Sequence, residues 1–208
     1  MADSSLTTPD PTAAAPPDGR SLRRERTRAA IVDGVLALVA DGELRPTAEQ
    51  IAERAGVSER SVFQHFPERD ALIEAVVARQ RDRVVALVER IPADGPLSGR
   101  LDAFVAQRAR IWEAVTPVRR AALLQEPFSG TVHDGLTMFR AIVHAEVGRI
   151  FAAELDRRPP AERAATLAAV AAISEWPAWE SLRAHQGLSP HDAAVAVRRA
   201  LEALLSAG

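Results

Sequence analysis

Between Thr47 and Phe66 the chain has room for two helices of about two turns each, with only a tight turn between them. Thr47 suits an N-cap, and Gln50, three residues on, can return a hydrogen bond to the cap's own backbone N–H, a capping box. Ile51, Ala52 and Ala55 give the first of these helices a narrow apolar face. Gly56 is the residue type that adopts the left-handed conformation after a helix end without steric cost. Ser58 caps the chain again two residues later, and Val62 and Phe66 point the second helix back into the same small core. Two helices joined in this way form a helix-turn-helix, whose second helix is the usual reader of the DNA major groove.

Helical periodicity continues on both sides, and the expected class is all-α with about nine helices. Upstream, Ile31, Val35, Leu38 and Val39 fall on one face of a first helix that ends near Asp41-Gly42. Downstream, Ile73, Val76, Val77, Val84, Leu87, Val88 and Ile91 predict a fourth helix from about 69 to 91, stopped by the Pro92–Pro96 stretch. A fifth is expected over 98–115, and Pro117 and Pro127 bracket a short sixth over 118–125. A seventh covers 131–156. An eighth covers 161–185, kinked by Pro177. A ninth opens at Ser189 with Pro190 at N1 and Asp192 at N3. Residues 1–19, rich in Ser, Thr, Pro, Ala and Asp, lack the apolar content to fold and are expected to be a disordered arm.

Residues 24–75 closely resemble the N-terminal DNA-binding domain of the tetracycline-repressor (TetR) family of bacterial transcription regulators. The run Arg-Ala-Ala-Ile-Val-Asp-Gly-Val-Leu-Ala-Leu-Val-Ala-Asp-Gly at 28–42 is similar to that family's first helix. Ala55-Gly56-Val57-Ser58 and Phe63-x-x-Phe66 match its turn and third helix, and Phe66-Pro67-Glu68-Arg69-Asp70-Ala71-Leu72 its passage into the fourth. The resemblance implies a helix-turn-helix DNA-binding domain over 20–68 and an effector-binding and dimerisation domain over 69–208. There are departures. Gly34 stands where the family commonly has alanine, Phe63 where it often has a tyrosine that reaches a phosphate, and Arg69 where it has lysine.

In the family layout the third helix enters the major groove. Val62 and Phe66 face the core, which leaves Arg60, Ser61, Phe63, Gln64 and His65 to look outward. Arginine pairs bidentately with guanine and glutamine with adenine, each worth about 1–3 kcal/mol of discrimination, so Arg60 and Gln64 are the expected base readers. Ser61 and His65 form the neighbouring stripe, and Phe63 can offer a thymine methyl an apolar contact. The backbone N–H groups at Thr47 and Ala48 suit a phosphate. Arg69 keeps the positive charge of the family's lysine.

The net charge is −2, so DNA contact has to come from a local basic cluster. One exists at Arg20, Arg23, Arg24, Arg26 and Arg28, of which Arg23 and Arg24 are the expected phosphate contacts. The chain has no cysteine and no lysine, which excludes disulfides and thiolate metal sites and fits a cytoplasmic bacterial protein from a GC-rich genome. No apolar run is long enough to span a membrane.

Seven of the nine aromatic residues lie beyond the helix-turn-helix. The resemblance implies a small-molecule effector among them, with Phe104, Trp112, Phe139 and Trp176 as walls and Arg108 or Arg140 as a polar partner. Ordinary core packing accounts for such aromatics equally well. The resemblance also implies a homodimer built on the last two helices, with Ala165, Ala168, Ala172, Val197, Leu201 and Leu204 at the interface. His133 and His144 lie on one helix face near Glu146, but they lack the Glu-x-x-His motif of bundle metal sites. With no nucleophile elbow or phosphate loop either, neither an enzyme nor a metal or other cofactor is expected. The function implied is that of a repressor released from a pseudo-palindromic double-stranded operator by its effector. The alternative is a nucleoid or architectural DNA binder that needs no ligand.

Overall fold

The computed structural model describes residues 19–206, and every regular element among them is helical. The head consists of α1 (Gly19–Ala40), α2 (Ala48–Ala55) and α3 (Glu59–His65), and α4 (Arg69–Val85) leads out of it. The body begins with α5 (Leu97–Gln125), a 3-10 turn (Glu126–Phe128), α6 (Gly130–Ile150) and α7 (Ala152–Leu155). It continues with α8 (Pro160–Ser174), α9 (Trp176–Glu180), one turn of π-helix (Ser181–His185) and α10 (Pro190–Ser206). Of the expected N-terminal arm, residues 1–18 lie outside the described residues, and Gly19 already belongs to α1.

Two apolar cores organise these helices. In the head, Ile31, Val35, Leu36 and Val39 of α1 close over Ile51 and Ala52 of α2 and Val62 and Phe66 around α3. The body core gathers Leu101, Phe104, Ile111 and Trp112 of α5, Val143 and Val147 of α6, Val170 of α8 and Leu201 of α10. Each buried side chain of this size contributes about 1.5–3 kcal/mol. The elements between the cores belong to both. Ala71, Leu72, Ala75 and Val76 at the start of α4 pack on the head, as do Val118 and Ala121 of α5, while Val84 and Leu87 pack on the body. Asp33 of α1 receives Arg79 Nε and Nη2 at 3.0 and 2.9 Å and Arg83 Nη2 at 2.8 Å, which clamps α1 to α4. The Arg79 hydrogen bonds hold the Asp33 carboxyl below its usual range.

Four element boundaries differ from the sequence-based expectation. α4 ends at Val85 and not near 91. Beyond it the backbone is held by body side chains: Glu89 N–H donates to Gln107 Oε1 at 2.6 Å, and Arg149 Nη1 donates to the Ile91 carbonyl at 2.9 Å. Ile91 thereby enters the body core.

α5 runs straight through Pro117, which was expected to end it. A proline inside a helix costs about 3 kcal/mol. Val115 on one side and Val118, Arg119 and Ala121 on the other are held by burial, and that outweighs the lost hydrogen bond. The expected short sixth helix is thus the last part of α5.

The expected eighth helix is broken rather than kinked. Glu175 is extended (φ −86°, ψ 161°), and Pro177 falls in the first turn of α9, where no N–H is needed. The Ser174 carbonyl at the break accepts Trp112 Nε1–H at 3.2 Å. Likewise the expected 131–156 helix is interrupted at Phe151 (φ −107°, ψ 23°).

Buried charge braces the start of the body. Arg100 donates to both Glu154 oxygens at 2.5 and 2.9 Å and to the Ile150 carbonyl at 2.7 Å, tying the start of α5 to the end of α6 and to α7.

Gly34, mid-α1, has no backbone reason to be glycine. A Cβ there would meet Ala55 Cβ at 3.5 Å and Arg54 Cγ at 3.6 Å, ordinary van der Waals contact. Gly34→Ala is therefore expected to stabilise the protein by up to about 1 kcal/mol. In a thermal melt followed by circular dichroism this should appear as a rise of about 2–4 °C. A fall would mean that α1 and α2 cannot absorb one methyl group.

Candidate nucleic-acid interface

The helix-turn-helix is built as its sequence dictates. Gln50 N–H donates to Thr47 Oγ1 at 3.2 Å and Thr47 N–H to Gln50 Oε1 at 2.8 Å, the reciprocal capping box. Gly56 is left-handed at φ 67°, and its N–H and that of Val57 close the end of α2 on the Glu53 and Ala52 carbonyls. Ser58 Oγ accepts from Ser61 N–H at 3.2 Å to start α3. The first-turn N–H groups of Ala48 and Glu49 take no part in the capping box.

α3 buries Val62 and then leads into Phe66, and presents the rest outward. Glu59, Arg60, Phe63 and Gln64 are exposed, and Ser61 and His65 are half-buried. Phe63 keeps 57% of its surface in solvent although it sits beside a formed core. Arg60 pairs with neither Glu59 nor Glu53, and among the described residues Arg60 and Gln64 have no hydrogen-bond partner, so both side chains are free to engage something outside the chain.

Arg23 and Arg24 are likewise exposed on α1 without an ion pair among the described residues. Arg28, from the same cluster, is occupied. Its Nη1 donates to the His65 carbonyl at 3.1 Å, and its guanidinium lies 4.1 Å from the centroid of the Phe66 ring. It fastens the end of α3 to α1, a role that no local spacing in the sequence signals. Arg69 also differs from the expectation of a plain DNA contact: its Nη2 donates to Gln125 Oε1 at 2.8 Å, across the joint between head and body.

The expected effector residues meet in the body. Arg108 pairs with Glu146 while its guanidinium lies 4.8 Å from the Phe104 ring centroid and 5.9 Å from that of Trp112. Trp112 packs edge-on against Phe139 at 5.6 Å. Trp176 Nε1–H donates to Thr116 Oγ1 at 3.0 Å, and Arg140 reaches Glu126 at 3.3 Å. Two clefts lie beside this cluster. One of about 250 Å3 is lined by Glu113, Thr116, Pro117, Arg120, Glu180 and Arg183. The other, of about 110 Å3, is mostly apolar and sits where Leu36, Ala40, Val84, Leu87, Val115 and Pro117 converge between the two cores.

Of the expected interface residues, Ala165, Ala168 and Ala172 are exposed on α8 and Leu204 is half-buried on α10. Val197 and Leu201 require correction. They are 5% and 0% exposed in the chain's own core, so they have no surface to offer a second copy. The stripe chosen from periodicity is the inward one, and the outward face of α10 carries Val195, Arg199 and Ala203.

A head of three helices with a capped, outward-facing α3 on an all-helical body defines a helix-turn-helix architecture. Residues 31–76 match the family model for bacterial regulatory proteins of the tetR family. It is 39% identical over 88 residues to the HTH-type transcriptional repressor LfrR of Mycolicibacterium smegmatis, a match that spans 41% of this chain and 45% of that relative. The chain thus covers under half the length of this relative. A tetR-family regulator from Streptomyces coelicolor superposes with a TM-score of 0.65 over 89% of this chain and 81% of its own, at 21% identity. Salmonella enterica GusR does so with a TM-score of 0.60 over 86% and 95%, at 16% identity. At these identities the solved structures establish the shared fold.

His65 carries a testable electrostatic signature. Partial burial and the positive charges of Arg24 and Arg28 disfavour its imidazolium, so its pKa lies below the ordinary 6.5. In a pH titration followed by NMR the His65 ring should titrate below 6.5, and Arg24→Gln should move it back up. An unchanged midpoint in Arg24→Gln would show that the Arg24 charge does not reach the ring.

Proposed function

We propose that the protein is a transcriptional regulator that represses from a pseudo-palindromic operator and is released by a small-molecule effector. The observation that carries this reading is the pair of partnerless side chains, Arg60 and Gln64, four residues apart on the exposed face of a capped third helix. In this reading they read base edges while Phe63 meets a thymine methyl. Ser61 and His65 reach bases or phosphates, the Ala48 backbone N–H holds a phosphate at the α2 N-terminus where the expected Thr47 N–H is taken by Gln50, and Arg23 and Arg24 neutralise flanking phosphates. Arg69 holds the joint through Gln125. The repressor named among its relatives supports repression as the sign of control. The protein works in the bacterial cytoplasm, where operator DNA lies, and performs no catalysis.

Two copies pair through α8 and α10, with Ala165, Ala168 and Ala172 allowing close helix approach and Leu204, Val195 and Ala203 supplying apolar area. The twofold then matches the symmetry of the operator, and half-site spacing follows from the separation of the two α3 helices.

Control passes through α5 as well as α4. α4 is 17 residues long, about 25 Å at 1.5 Å per residue, and both helices touch both cores. The effector acts at the seam of Trp112, Phe139 and Trp176, with Arg140 nearby on α6 and with Arg108 and Phe104 one and two turns before Trp112 along α5. A shift there moves Val118, Ala121 and Gln125, and with them the head. Release requires the ligand to favour the DNA-incompetent spacing by about 1–3 kcal/mol, a 5–150-fold change in operator affinity, and operator DNA must weaken the ligand by the same factor.

Light scattering of dilute protein is expected to return the dimer mass, and a monomer mass would remove the twofold from this reading. Genomic fragments captured by the purified protein should share an inverted repeat. On that sequence, Arg60→Ala or Gln64→Ala should relax base preference at defined positions at a cost of about 1–3 kcal/mol. Replacing Arg23 and Arg24 together should weaken all sequences alike and flatten the salt dependence. An unchanged preferred sequence in both α3 variants would overturn the assignment of the reading face.

A further inference from the structure

Arg119 lies on the α5 face that looks towards α6 and α9, 9% exposed. The other buried or half-buried arginines around it have carboxylate partners: Arg100 has Glu154, Arg108 has Glu146, Arg140 has Glu126 and Arg183 has Glu113. Arg119 has none. Its Nε is buried without a hydrogen-bond partner, and its guanidinium lies 5.9 Å from the centroid of the Trp176 ring. Glu126, the nearest carboxylate across on α6's side, is already engaged by Arg140 at 3.3 Å and His133 at 3.5 Å. An unpaired buried guanidinium is a net cost to the folded state, so its presence calls for a counter-charge from outside the chain. The same environment is visible in its acidity: burial first, and then the neighbouring Arg140, push it below the ordinary arginine range, against the more distant pull of Glu126 and Glu175.

We propose that Arg119 anchors the carboxylate of a small organic-anion effector whose flat apolar part lies against Trp176. The proposal rests on the regulatory reading above and names the chemical class of its ligand. A route is at hand. Thr116, one turn before Arg119, lines the cleft of about 250 Å3 between α5 and α9, and its hydroxyl accepts the Trp176 Nε1–H. One indole therefore connects the cleft wall to the guanidinium. The cations of the cleft itself, Arg120 and Arg183, are held bidentately by Glu180 and Glu113, which leaves Arg119, off the cleft wall and beyond Thr116 and Trp176, as the neighbouring cation without a carboxylate partner. The cleft lies just below the usual range of about 300–1,000 Å3 for ligand pockets, which favours a compact ligand. Arg119 follows Pro117 on the part of α5 that carries Val118 and Ala121 against the head core, so charge pairing at Arg119 acts on the joint directly.

The test uses the full-length protein with benzoate, phenylacetate and hexanoate at millimolar concentration, each beside its uncharged amide. At least one carboxylate should raise the melting temperature by several degrees and weaken binding to the captured genomic duplex at least fivefold, while its amide needs at least tenfold more to do either. Arg119→Met should melt higher than the wild type without ligand, because an unpaired buried charge is gone, and should lose the carboxylate response. Arg120→Met should keep that response. If Arg119→Met does not fold, Arg119→Gln takes its place in the ligand arm. Equal responses to acid and amide, a carboxylate response that survives loss of Arg119, or no response of the wild type to any of the three acids would each overturn the proposal. Capture of a specific duplex reads out separately. If the wild type selects none, the regulatory reading fails whatever the acids do; if it selects one and ignores the acids, only the anion assignment fails.

Discussion

A proline in the interior of a helix removes a hydrogen bond and crowds the carbonyl four residues back, yet α5 continues for eight residues past Pro117. Its halves are buried in different places. Before the proline, Leu101, Phe104, Ile111 and Trp112 belong to the body core; after it, Val118 and Ala121 lie against the head. Neither half can leave without exposing its apolar face, and so the helix stays whole. The body and the head are then two ends of one rod, joined a second time by α4 and clamped by Asp33 to Arg79 and Arg83. The apolar cleft at Leu36, Val84, Val115 and Pro117 sits at this joint, where imperfect packing leaves the rod some freedom to tilt.

The arginines divide along the same line. In the body Arg100, Arg108 and Arg183 brace helix to helix through Glu154, Glu146 and Glu113, and Arg119 is left without a carboxylate among the described residues. At the outer edge of the head, Arg23, Arg24 and Arg60 are left solvated and without carboxylates. Arg28 is the exception, spent on holding the end of α3. A chain with a slight net negative charge can thus still present a positive edge, because Glu59 is the one carboxylate within α3 and does not pair with Arg60.

Much of this was legible from local rules. The capping box at Thr47 and Gln50, the left-handed Gly56 and the Ser58 cap involve residues within a few positions of each other, so spacing alone identifies them. The outward set on α3 followed once Val62 and Phe66 were assigned inward. What stayed hidden depends on partners far along the chain. The end of α4 is set by Gln107 and Arg149, the survival of α5 by the head core, and the break before α9 leaves a carbonyl that Trp112 meets from 62 positions away. Periodicity also marks an apolar stripe on α10 without saying which neighbour covers it, and so Val197 and Leu201 were taken for an interface when they fill the chain's own core. Arg119 gave no signal at all, because a missing partner is visible only when every neighbour has been placed.

All three tryptophans of the chain lie in the body, Trp112 on α5 and Trp176 and Trp179 on α9, buried and hydrogen-bonded to Ser174, Thr116 and Glu113. The chain contains no tyrosine. Its tryptophan emission is therefore a report on the seam between α5 and α8–α9, to which the head contributes nothing. If head and body melt as one, fluorescence and helical ellipticity will trace the same transition; if the head frays first, ellipticity will fall while the emission stays unchanged. A single pair of spectra thus measures how strongly the rod through Pro117 couples the two cores.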